Sequence, residues 1–296
     1  MFTYLKLLIT MACWGGTFVA GRTLAGAVPP FSAAFLRFSV AGLILLILLC
    51  RSEKRLPRLT LRQAGQVLLL GMTGVLGYNI AFFTGLETVA AGRAALIIAL
   101  NPVGITLCSA LFGGEPLRPL KTVGVVISVF GALLVIGDGP GALLNGALGR
   151  GELALLGCVL CWSLYSVIGR RTMRDLSPLA AVTYSALAGT LLLAPLALGQ
   201  GVLGAALGYG WKAWASLLYL GVFGTVVGFL WYYQAIREIG AVRSGVFINF
   251  VPLFALAFGM LLLGEPLSAG LLQGGALVVG GAWITNYAGL GRQASS

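Results

Sequence analysis

The sequence predicts an all-α, polytopic membrane protein of ten transmembrane helices laid out as two inverted five-helix repeats. Three observations lead there. Of the 296 residues, 59% are hydrophobic and 9% charged, against roughly 45–50% and 25% in an average soluble domain. The charged side chains fall between apolar runs, each near the ~20 residues that cross ~30 Å of hydrocarbon as helix. The second half of the chain also restates the first at a shift of 148 to 150 residues.

The apolar runs place spans at 4–22, 31–50, 64–84, 92–112, 119–137, 152–169, 178–199, 213–234, 241–263 and 268–288. The first starts at about Tyr4, which leaves no room for a cleavable leader, so it is expected to be retained. Within it Thr10, Trp14, Thr17 and Gly21 follow at spacings of four, three and four, one face of a helix. The sixth span repeats that face as Cys158, Trp162, Tyr165 and Gly169. A polar and aromatic stripe is costly against lipid and is expected to face the bundle interior or a water-filled path.

The second span carries Arg37 about seven residues in. A cation there costs roughly 2.5–3.5 kcal/mol on insertion scales unless it snorkels or is paired. It reads either as a holder of a substrate carboxylate or outer gate, or as a packing anchor on backbone carbonyls. The third span contributes Tyr78, Asn79, Phe82 and Phe83, and the eighth Trp231, Tyr232, Tyr233 and Gln234, as cavity lining or interfacial belt.

The fourth and ninth spans hold matched polar breaks, Asn101 with Pro102 and Asn249 with Pro252. A proline inside a helix frees a carbonyl, so the pair reads as a hinge or kink beside a central site, or simply as wall curvature. Glu115 and Glu265 each precede a proline expected to open the next helix, which reads as helix capping. Gly124, Ser128 and Gly131 in the fifth span, like Gly270, Gly274 and Gly281 in the tenth, form small-residue seams.

The repeat is read from matched residues. A shift of 148 lays Trp14 on Trp162, Gly21 on Gly169 and Pro30 on Pro178. A shift of 150 lays Gly-Glu-Pro-Leu at 114–117 on 264–267, Pro102 on Pro252 and Gly131 on Gly281. A unit of five spans is odd, so its second copy enters the membrane from the other side. The expected division is residues 1–137, a connector at 138–151, and residues 152–296. Inverted halves of this kind support alternating access to a midplane site.

The net charge of +11 is explained by position. With the N-terminus inside, the cytoplasmic segments hold Lys6, Arg51, Lys54, Arg55, Arg58, Arg62, Arg118, Lys121, Arg170, Arg171, Arg174, Arg237, Arg243 and Arg292. The outside holds Arg22, Arg93, Arg150 and Lys212. That bias sets both termini in the cytoplasm by the positive-inside rule and removes the case for nucleic acid.

Five cysteines lie in or at the ends of apolar runs and no histidine is present. No disulfide framework, metal site or cofactor is indicated, and the usual catalytic constellations of an enzyme are missing. All eight acids map to loops or span ends. Tight proton or sodium coupling therefore has no evident carrier, and facilitated movement or exchange is expected. The same lack of charge suits a neutral or zwitterionic substrate with an apolar part.

Taken in order, Trp14-Gly15-Gly16, Arg37-Phe38, Asn101-Pro102 and the paired Gly114-Glu115-Pro116-Leu117 and Gly264-Glu265-Pro266-Leu267 resemble the EamA branch of the drug/metabolite transporter superfamily. The resemblance covers essentially the whole chain. It implies a permease of the bacterial inner membrane, similar to exporters of aromatic and other neutral amino acids. Substrate-binding candidates are Trp14, Thr17, Arg37, Tyr78, Asn79, Phe82, Asn101, Trp162, Tyr165, Trp231 and Asn249. Alternatives are a nucleotide-sugar or sugar-phosphate exchanger of the same superfamily, or a channel or lipid-moving protein. The expected partners are the small-molecule substrate and membrane lipid, and a monomer suffices in principle.

Overall fold

The computed structural model describes residues 2–53, 56–113, 119–137, 149–239 and 247–290. All regular structure among them is helical, with no strand. Ten longer helical segments follow in order among them: α1 (Phe2–Leu24), α2 (Pro30–Ser52), α3 (Leu61–Thr88), α4 (Ala91–Ile98 and Asn101–Gly113), α5 (Pro119–Gly137), α6 (Arg150–Thr172), α7 (Pro178–Gly199), α8 (211–239), α9 (Ile248–Leu263) and α10 (Ala269–Leu290), with a short helix Val202–Ala206 between α7 and α8. Eight are long and apolar enough to cross a membrane, while Ile248–Leu263 and Ala269–Thr285 are shorter apolar helices.

Local signals account for several of these boundaries. Thr60 and Gln63 form a reciprocal capping box at the start of α3. Pro30 and Pro178 open α2 and α7, where a missing N–H costs nothing, and the Ser177 hydroxyl accepts from the Ala180 amide at 3.2 Å. Gly264, at φ 67°, ends α9 in the left-handed conformation that a side chain resists.

Two helices are wider-wound in the middle. Gly71–Gly77 in α3 and Leu220–Val227 in α8 are π-helical, and they coincide at the 150-residue shift. The sequence reading expected plain helix there. Glycines explain the difference: Gly71 has Gly189 N 2.8 Å from where a Cβ would stand, and Gly221 has the Arg37 carbonyl oxygen at 3.1 Å. The helices cross at backbone contact, and a π turn rotates the following face by the inserted residue.

The packing partners correspond at the shift of 148 to 150 residues. α1 packs on α8 and α9, and α6 packs on α3 and α4; α2 pairs with α7, and α5 with α10. Along the α5–α10 seam a Cβ on Gly124 would lie 2.7 Å from Gly281 O, and one on Gly131 would lie 2.7 Å from Gly274 O. Position rises along one helix as it falls along the other, so the two run antiparallel. Gly42 facing Leu187 and Thr190, with Thr183 Oγ1 3.5 Å from Leu45 O, makes α2 and α7 antiparallel as well.

Much of the apolar surface is turned outward. Leu43, Leu111, Val126, Leu160, Leu191 and Leu261 are all exposed on the long helices. That is the arrangement of helices solvated by lipid, where helix contact relies on close packing of small residues rather than on hydrophobic burial.

Candidate functional site

The side chains at the crossing of α1, α3, α6 and α8 form one aromatic cluster. Trp14 stands 5.3 Å from Tyr232 and 5.9 Å from Phe229 between ring centroids. Trp162 stands 5.4 Å from Tyr165, 5.6 Å from Tyr78 and 6.1 Å from Phe229. Phe82 continues it, 6.0 Å from Tyr78, 5.4 Å from Phe18 and 5.5 Å from Phe83. Phe229 touches both tryptophans.

Each tryptophan face meets the π-helical segment of the other half. Trp14 donates its indole N–H to Gly224 O at 3.0 Å, and Thr17 Cγ2 lies 2.7 Å from where a Cβ on Gly224 would stand. On the matching side Tyr165 closes over Gly74. Thr17 turns its own hydroxyl to Trp14 O at 2.6 Å, so its hydrogen bond stays within α1.

Arg37 is buried at the same level, 8% exposed. Its Nη1 donates to Asn79 Oδ1 at 3.0 Å and its Nη2 to Thr225 Oγ1 at 3.3 Å, while Nε has no partner. Asn79 in turn donates to Val75 O at 2.8 Å and Thr225 to Leu220 O at 3.0 Å. A guanidinium from α2 thereby ties α3 to α8. The packing-anchor alternative assigned it to backbone carbonyls; its recorded acceptors are side chains.

Between these groups lies a cavity of about 20 Å³, lined by Phe38, Gly74, Val75, Trp162, Tyr165, Val182, Ser185, Ala186, Thr225 and Phe229. That space holds about one water, far below the ~300–1,000 Å³ of ligand pockets. This cavity leaves no room for a solute larger than water in this conformation. Thr225, Ser185 and Phe229 were not singled out from sequence, although Gly71 and Gly74 recurring as Gly221 and Gly224 marked the crossing that positions them.

Other expected residues fall elsewhere. Trp231 makes no ring contact or hydrogen bond among the described residues; its neighbour Tyr232 is the one turned inward. Asn101 and Asn249 stand at matched breaks, where Pro102 and Pro252 sit near the start of a new helical segment rather than inside a continuous one. Asn101 Oδ1 and Asn249 Nδ2 are buried without partners.

Glu265 caps a different helix from the one expected. Its carboxylate accepts from Ala91 N at 2.8 Å and Gly92 N at 3.2 Å, the amino end of α4, while Ser268 Oγ accepts from Leu271 N at 3.1 Å to start α10. The turn at Gly264 aims the carboxylate across the bundle rather than forward. Glu115 lies outside the described residues, as do the rest of 114–118 and residues 138–148 of the expected 138–151 connector, whose last two residues, Arg150 and Gly151, open α6 instead.

Known proteins share both sequence and fold with this chain. The model of the EamA-like transporter family matches residues 1–137 and 149–287. The uncharacterized transporter YyaM of Bacillus subtilis is 29% identical over 285 residues, covering 93% of this chain and 90% of its own length. A probable terminal-alkyne amino-acid exporter of Streptantibioticus cattleyicolor is 28% identical, covering 97% and 94%. The aromatic amino acid exporter YddG of Ancylobacter novellus is 31% identical over 159 residues, 53% of this chain and 55% of its own. A solved crystal structure of a protein shares the fold with a TM-score of 0.65 at 24% identity, covering 99% of both chains.

Proposed function

We propose that this chain, which belongs to the EamA-like transporter family, is a permease of the bacterial inner membrane that exports aromatic or other neutral amino acids, or similar metabolites, by alternating access. Ten spans in two inverted halves, with both termini in the cytoplasm, are part of the same reading. Supporting the inversion, α2 runs antiparallel to α7 and α5 to α10, each pair being repeat partners.

The observation that carries the reading is the aromatic cluster where the halves meet. Trp14 of one half and Trp162 of the other both contact Phe229, beside a cavity bordered by two π-helical segments. Aromatic faces supply stacking and apolar contact for a neutral or zwitterionic solute, with about 0.5–1.5 kcal/mol per well-placed ring pair beyond area burial. π-helical turns interrupt the regular ladder in two helices that border the cavity and give each a place to flex. Separating the halves at this crossing widens the cavity toward one face at a time. Two relatives bear amino-acid exporter names, which favours amino acids as cargo.

The test is counterflow of radiolabelled neutral amino acids in proteoliposomes holding the purified chain. Trp14→Ala and Trp162→Ala are expected to lower the rate by tenfold or more, about 1.4 kcal/mol. Transport untouched by both removes the site assignment. Flux without saturation or counterflow replaces the carrier by a channel.

A further inference from the structure

We infer that Arg37 recognises a carboxylate in the central site, so that the substrates are apolar monocarboxylates whose amino group is dispensable. The inference rests on the export reading for the place of the site and adds the chemical group that the site demands.

Arg37 is buried at 8% exposure, yet its hydrogen-bond acceptors, Asn79 Oδ1 and Thr225 Oγ1, are neutral. Nε is buried and unpartnered. A guanidinium has five N–H donors in a planar fork matched to a carboxylate; here Nε has no acceptor, and the Phe38 ring lies 5.2 Å from Cζ. Among the described residues no carboxylate pairs with it; Glu115 and Asp138 lie outside them. A buried cation with only neutral partners among the described residues, and with Nε unpartnered, can take up a negative charge.

The repeat separates this role from packing. Trp14 and Trp162 are matched between halves, but the 148-residue equivalent of Arg37 is Ser185. Both stand at equivalent crossings: Gly221 lies against Arg37 O and Gly71 against Ser185 O, each with a Cβ position 3.1 Å away. The fold therefore forms this crossing equally well around a serine, and packing alone does not require the arginine.

Placement completes the case. Thr225, which accepts from Arg37, lines the cavity together with Phe38, Trp162 and Phe229. A carboxylate entering past Thr225 exchanges two neutral acceptors for a charge-assisted, bidentate one, and its apolar part then lies among the rings. No Asp or Glu lines the cavity. An ammonium finds ring faces and hydroxyls there but no carboxylate, so it gains less than a carboxylate gains from a bidentate guanidinium.

The experiment is calorimetric titration of the purified full chain with 3-phenylpropionate, L-phenylalanine and phenethylamine. The two carboxylates are expected to bind within about tenfold of each other, and phenethylamine at least about tenfold more weakly. Arg37→Gln is expected to weaken both carboxylates by about tenfold or more, and Arg37→Lys to keep part of that affinity because the charge remains while the fork is lost. The ranking of the three ligands on the unmodified chain tests the idea without any variant having to fold. Phenethylamine binding as tightly as the carboxylates, neither carboxylate binding, or unchanged carboxylate affinity in a folded Arg37→Gln protein overturns it. Arg37-dependent binding of 3-phenylpropionate without transport of L-phenylalanine leaves this site standing and removes the amino-acid export reading. L-Phenylalanine counterflow with unchanged KM in Arg37→Gln does the reverse.

Discussion

The Trp14 indole N–H donates to Gly224 O at 3.0 Å, across 210 positions of sequence. The acceptor belongs to the π-helical turn of α8, so a side chain of the first half is fastened to an irregular turn of the second. Trp14→Phe keeps the ring and removes the donor. It is expected to lower stability by about 1 kcal/mol and to slow transport, measured by thermal unfolding in detergent and by counterflow. Trp231→Phe, outside the ring cluster, is the control and is expected to change neither; equal effects from both variants contradict the role given to Trp14.

Close approach at Gly224 supplies a second expectation. A Cβ added there would stand 2.7 Å from Thr17 Cγ2, so Gly224→Ala overpacks the contact between α1 and α8 by one methyl. The expected cost is about 1–3 kcal/mol. Thr17→Ser removes that methyl, and the double variant is expected to recover most of the loss in a double-mutant cycle. Additive losses would locate the damage elsewhere.

Glu265 supplies a third, since its carboxylate accepts from the first two amides of α4 while sitting in the connection between α9 and α10. Glu265→Ala leaves both amides without that acceptor and is expected to cost about 0.5–2 kcal/mol. Glu265→Gln, which can still accept one bond, is expected to cost less. A cysteine substituted at Ala90 should label faster with a membrane-impermeant thiol reagent in Glu265→Ala than in the parent, once Cys50 and the other native thiols are replaced. Unchanged labelling and melting together would leave the contact without consequence.

Much of the site was legible one helix at a time. The spacing of Thr10, Trp14, Thr17 and Gly21 shows a helical face without any coordinates, and both tryptophans do stand in one cluster joined by Phe229. Trp231 was less legible, because a run of consecutive aromatics in α8 leaves the inward residue undetermined until the helix is rotated against α1; Tyr232 is the one that faces Trp14. The target of Glu265 was hidden for a related reason. Proline beside a carboxylate signals a nearby helix start, but which amino end it reaches depends on how Gly264 turns the chain.

From sequence alone come the lipid solvent, the helical state, the duplication and the positions of the aromatic faces, because transfer free energy and helical period are written into neighbouring residues. The tertiary structure decided that two π-helical turns border one cavity, that Arg37 bridges α3 and α8 with its Nε unpartnered, and that this cavity has about 20 Å³. Those facts depend on the rotation and crossing of helices far apart in the chain. Packing between backbones sets them, and no local window of sequence contains both sides of the contact.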